Sequence, residues 1–207
     1  MFLLAFKPHV VWLLWPALLL YSFRPRRWRM LVALTLLLIA ASAAALLINH
    51  TVFSQYLALW KESRLIEQLT PTAGGLLRWW LGSVLLQFLP AAVAGGWFLY
   101  YWLRAGMSWD WPEGTPLLLL VSMATAPYSW FFDQVVLLPS VLHGARDMQS
   151  NTKKIVLATA SFLVINIAAL TLILMHRTTF WYAWTAPAWL LWYLAVRRYP
   201  AQRVHQR

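Results

Sequence analysis

An all-α polytopic membrane protein, a bundle of about seven transmembrane helices, is the fold class the sequence predicts, and three observations predict it. The 207 residues are 61% hydrophobic and only 11% charged, with a mean hydropathy of +0.60. Several runs, Met30–Ile48 and Ile155–Met175 among them, carry about 20 residues without a charge, the length an α-helix needs to cross ~30 Å of hydrocarbon. Alternation of apolar and polar residues over strand-length windows is absent from the sequence, which argues against a β-barrel.

Taken in order, the apolar segments fall at about 3–23, 30–48, 82–103, 115–126, 133–145, 155–175 and 180–196. The membrane-crossing part of the first, near Val10 to Phe23, follows Lys7 and ends in the basic run RPRRWR, residues 24–29. No small-residue cleavage site follows, so it reads as a span with a stop-transfer flank and not as a signal peptide. The fourth and fifth segments are separated by APYSWFF, residues 126–132. They form either one broken span or a short hairpin, and the excess of basic residues on cytoplasmic loops decides between the two.

As one span, the side holding RPRRWR collects Arg24, Arg26, Arg27, Arg29, Arg104 and Arg177, six basic residues against eleven. As a hairpin, that side loses Arg177 and gains Arg146, Lys153, Lys154, Arg197, Arg198, Arg203 and Arg207, twelve against five. The hairpin is therefore predicted, with the N-terminus outside. Pro127 disfavours helix at Ala126, and Asp133 is placed to cap the helix that follows. A turn at membrane depth is tolerated only where protein or a watery cavity covers the backbone, so this one is expected at the outer side of a protein-lined cavity.

The whole chain, 1–207, reads as a single membrane domain. Residues 49–81 form an extracytoplasmic amphipathic loop, in which SQYLALWKESRLIEQLTPTAGGLLRWW gives an amphipathic helix, a turn and a Trp-rich return to the membrane. Residues 197–207 form a basic cytoplasmic tail. The net charge of +11 is what basic loops flanking apolar spans require. No basic stripe alternates with aromatics in a soluble segment, so nucleic-acid binding is not expected. The 15 tryptophans fit interfacial belts. With no cysteine there is no disulfide framework, thiol catalysis or Cys-bound metal. His143, Asp147 and His176 are too scattered for a metal site, and no phosphate loop, Ser-His-Asp order or nucleotide fingerprint is present, so no metal or cofactor is expected. Asp110 and Glu113 fall on the inner side, where they serve loop solvation and helix capping. A small transporter or channel would show inverted repeats or charges within spans, and neither is clear.

This topology brings three separated pieces of sequence to the outer surface, with Lys7, His9, Lys61, Arg64, Arg78, Tyr128 and Asp133 on it. The ordered stretches FKPH, RPRRWR, FSQYLALWKES, PTAGGLLRWW and APYSWFFDQVVLLP resemble the C-terminal half of glycosyltransferase family 87, in pieces covering roughly residues 1–145. The resemblance implies a partial GT-C fold. Such proteins are multi-pass enzymes of bacterial or archaeal cell membranes, mannosyltransferases among them, that take a sugar from a polyprenyl phosphate on the extracytoplasmic face. Family members are about twice this length and carry their catalytic carboxylate in a large loop of the N-terminal half. The resemblance thus implies a donor-binding half, completed by a missing N-terminal half or by another membrane subunit.

Lys7 and His9 match the family's KP motif. A lysine with a nearby imidazole or arginine would neutralise the donor phosphate and stabilise it as a leaving group, and Arg78 is a further candidate for that role. Tyr128, with Trp130, is placed to stack on a sugar face. An inverting transfer needs a carboxylate base. Glu62 and Glu67 are spaced to pair with Lys61 and Arg64 on the amphipathic helix, which leaves Asp133 as the candidate catalytic carboxylate. Each residue also has a plainer reading: Lys7 as a snorkelling anchor, His9 and Tyr128 as interfacial residues, and Asp133 as a helix cap. The corresponding alternative for the whole chain is a non-catalytic integral membrane subunit, its fold kept for packing or partner contact.

Overall fold

The structure, a computed structural model, describes residues 7–23, 27–62, 68–105, 110–147 and 152–197. Among these residues the chain is predominantly helical, with no strand. The helices are α1 (Leu14–Ser22), α2 (Arg29–Ile48), α3 (Val52–Glu62), α4 (Ala73–Leu81), α5 (Leu89–Ala105), α6 (Trp111–Thr125), α7 (Leu138–Asp147), α8 (Thr152–Leu174) and α9 (Thr185–Arg197). Tighter 3-10 segments, Val84–Phe88, Phe131–Leu137 and Thr179–Tyr182, precede α5, α7 and α9. Residues 198–207, and so nearly all of the basic tail, lie outside the described residues.

Three helical stretches among the described residues are long and apolar enough to cross a membrane: Arg29–Ile48, Val84–Arg104 and Ile155–Leu174, of 20, 21 and 20 residues. At 1.5 Å per residue each is about 30 Å long. The sequence reading of seven crossings is met in full length only by these three. Where the segments 3–23, 115–126, 133–145 and 180–196 were expected to span, the helices have 9, 15, 10 and 13 residues. Prolines explain part of the shortening. Pro16 brings no N–H to the start of α1, and the chain ahead of that helix climbs through turns, with Val10 N–H bonded to Lys7 C=O at 3.2 Å and Leu14 N–H to Val11 C=O at 2.9 Å.

The short helices make the core and the long ones surround it. Val10, Leu13, Leu14, Ala17, Leu118, Leu120, Met123, Leu137, Trp192 and Tyr193 are all buried, whereas among the described side chains α2 buries only Leu34, and α8 only Ala158 and Ile165. In the most apolar part of these three stretches only 6%, 17% and 11% is buried. A helix apolar on every side yet exposed suits contact with lipid. Side chains repair the backbone where the short helices depart from regularity. Leu13 N–H, left without a helical acceptor by the irregular start of α1, donates to Ser122 Oγ of α6 at 3.1 Å, and both residues are buried. Ser140 Oγ of α7 donates to the Pro116 carbonyl of α6 at 2.9 Å, and Trp192 Nε1 of α9 donates to the Ala158 carbonyl of α8 at 2.9 Å. Such bonds are needed because an unpaired buried polar group costs about 1–3 kcal/mol.

Contacts fix the direction of the core helices. At one end Tyr21 meets the Trp111 ring edge-on at 5.1 Å, and Arg197 reaches Glu113 at 3.4 Å. At the other end Gln87 bonds the Pro127 carbonyl, Gln134 bonds Thr185, and Phe131 packs on Tyr182 at 4.3 Å. The α-helical backbone stops at Thr125, turns through residues 126–130 and resumes at Phe131. With Ser140 against Pro116, α6 and α7 form an antiparallel hairpin whose turn lies at this second end.

Candidate functional site

The hairpin turn carries the polar centre of the molecule. Asp133 is buried, its side chain 1% exposed, and Lys7 Nζ pairs with its Oδ1 from a side chain that is 29% exposed. A buried carboxylate is tolerated only when paired and hydrogen-bonded, and the second oxygen meets that demand: Trp130 N–H donates to Oδ2 at 2.8 Å. The sequence placed Asp133 as a cap in front of its helix. The structure has it three residues inside, reaching back to the N–H of Trp130, while its own N–H donates to the Trp130 carbonyl at 3.0 Å. Trp130 has no side-chain acceptor, so the loop is closed by backbone and carboxylate alone.

Around this pair stand His9, Tyr128, Trp130 and Phe132. The His9 and Tyr128 rings lie 5.5 Å apart, Trp130 Nε1 donates to the Tyr128 hydroxyl, and Lys7 Nζ lies 4.5 Å over the Phe132 ring. His9 Nε2 is buried and has no hydrogen-bond partner among the described residues. His9 precedes α1 and stands outside the three long spans. Burial lowers its pKa from the ordinary 6.5, opposed by the charge of Asp133 and reinforced by that of Lys7. Burial raises the pKa of Tyr128 above 10.0, which keeps the phenol protonated.

Arg78 stands at the edge of this group and joins it through Gln87. Arg78 donates to Gln87 Oε1 at 3.1 Å, and Gln87 Nε2 donates to the Pro127 carbonyl in the hairpin turn. The turn PTAGG makes the approach possible. Thr72 Oγ1 accepts from Gly75 N–H at 2.9 Å and caps α4, and a Cβ on Gly74 would collide with the Gln87 carbonyl. Lys61 and Glu62 are exposed at the end of α3, while Arg64 and Glu67 lie outside the described residues.

Lys7, His9, Tyr128 and Asp133 are thus together, with Arg78 linked through one amide. The partly exposed Lys7 ammonium, with donors beyond its bond to Asp133, can meet one anionic group. Asp133 has both oxygens engaged, which opposes its use as a base. Sequence reasoning missed Gln87, a neutral amide in an apolar run. It also missed the cluster at the far end, where Glu113 meets Arg197 at 3.4 Å and His143 at 3.9 Å, and Tyr193 Oη lies 3.3 Å from His143 Nδ1. No group of three His, Asp or Glu residues that could hold a metal occurs among the described residues. Comparison with protein-family models, with curated proteins and with solved structures gives no match.

Proposed function

We propose that the chain is the donor-binding part of a membrane glycosyltransferase of the mannosyltransferase type. It holds a polyprenyl-phosphate sugar by its phosphate at the Lys7 end of the bundle and does not itself carry out the transfer. In this reading α1, α6, α7 and α9 complete seven crossings of a partial GT-C arrangement in a bacterial or archaeal cell membrane, with the Lys7 end extracytoplasmic. The observation that carries it is the Lys7–Asp133 pair beside the unpartnered His9 Nε2. Lys7 keeps donors for a phosphate, and His9 beside it has a ring nitrogen without a partner among the described residues, whereas both oxygens of the carboxylate are already engaged.

The test is binding of polyprenyl phosphate mannose, against the free polyprenol, to the purified chain in nanodiscs. Wild type is expected to prefer the phosphate, and Lys7→Ala or His9→Ala to weaken that preference about ten-fold, the size of one charge-assisted hydrogen bond. A parallel incubation with an acceptor lipid is expected to give no product. Transfer by wild type that disappears in Asp133→Asn would make Asp133 the catalyst instead. The second reading, a non-catalytic membrane subunit, is favoured by the exposure of α2 and α8. Equal binding of phosphate and alcohol by wild type would support it.

A further inference from the structure

At the end of the bundle opposite Asp133, three arginines lie over tyrosines. Arg27 is 4.5 Å from the Tyr21 ring centre, Arg104 is 4.7 Å from Tyr100, and Arg197 is 5.9 Å from Tyr193. They share one rim. Tyr21 touches Trp111 at the start of α6, and Arg197 pairs with Glu113 in the first turn of the same helix. The segment ahead of α5 is bonded through Gln87 to the far end of α6, so Arg104, in the last turn of α5, comes down to the start of α6. Arg146, in the last turn of α7, follows His143 and Gly144, which contact Glu113 and Trp192.

Among the described side chains the charges on this rim are unbalanced, with Arg27, Arg29, Arg104, Arg146 and Arg197 against Asp110 and Glu113. Arg197 has Glu113, but Arg27, Arg29, Arg104 and Arg146 are exposed and have no carboxylate partner among the described residues. Stacking on tyrosine holds a guanidinium in place while leaving its N–H edge open, and that planar fork of donors matches a phosphodiester. Depth selects the source of the phosphate. The apolar stretch of α2 begins at Arg29, and that of α5 ends at Arg104, so the rim lies where the hydrocarbon gives way to headgroups. We infer that this rim docks anionic phospholipid headgroups, with Arg27 and Arg104 as the main phosphate donors.

The test is native mass spectrometry of the full chain released from bilayers of equimolar phosphatidylglycerol and phosphatidylcholine. Wild type is expected to retain phosphatidylglycerol in excess, and the double variant Arg27→Gln/Arg104→Gln to lose about ten-fold of that excess. Arg177→Gln, over Trp181 at the other end, is expected to leave it unchanged. Raising salt to about 0.5 M before release is expected to collapse the wild-type preference without any substitution. No preference in wild type, an equal loss in Arg177→Gln, or co-purified nucleic acid lost through the same double variant would each overturn the inference.

Discussion

Asp133 and Lys7 are unequal partners, because one side chain is 1% exposed and the other 29%. Removing the amine leaves a carboxylate deep in the protein with one backbone N–H for company. Removing the charge from Asp133 leaves an amine that can turn to the surface, and an asparagine oxygen can still accept from Trp130. Lys7→Met is therefore expected to cost about 3 kcal/mol of stability, and Asp133→Asn only about 1 kcal/mol, measured by thermal or denaturant unfolding in detergent. Equal losses would refute the asymmetry. The nearness of the two residues is legible in the sequence, since the topology expected from the basic residues puts both on one side. The bond from Arg197 to Glu113, 84 positions apart, is not, because nothing local to Glu113 distinguishes a loop carboxylate from half of a distant pair. Gln87 is illegible for a related reason: an uncharged amide declares itself only by what folding brings to it.

Local chemistry marks the ends of α4 well. Thr72 caps its start, and Gly82 closes it with φ at 73°, a left-handed conformation that glycine adopts without penalty. The start of the hairpin's second arm is less clear. The sequence puts it at Asp133, but the 3-10 segment begins at Phe131, because a cap can be supplied from within by a side chain reaching backward. Close packing between elements is hidden from local reading altogether. Gly74 lies against the Gln87 backbone, whereas Gly96 faces open space. Gly74→Ala is expected to destabilise by about 2 kcal/mol as the neighbouring segment is forced away, and Gly96→Ala to stabilise by up to about 1 kcal/mol through helix propensity. Unfolding midpoints of the two variants moving in the same direction would contradict this.

At the scale of the whole molecule, composition reveals a helical chain with stretches long and apolar enough to cross a membrane, but not which helices form its centre. Surface facing lipid and surface facing protein are equally apolar, so hydropathy cannot rank α2 and α8 as peripheral or α6 and α9 as central. That arrangement has a consequence for biogenesis. A translocon admits a segment according to its own length and hydrophobicity, and the helices that build the core are the ones least able to meet that criterion alone. The long helices would then be admitted first, and the short ones drawn in afterwards by packing against one another. Placed singly in a host protein and scored by glycosylation mapping, segments 29–48 and 155–174 are expected to insert efficiently. Segments 111–125 and 138–147 are expected to insert only within the complete chain, so that truncation during synthesis would leave the future core stranded at the membrane surface.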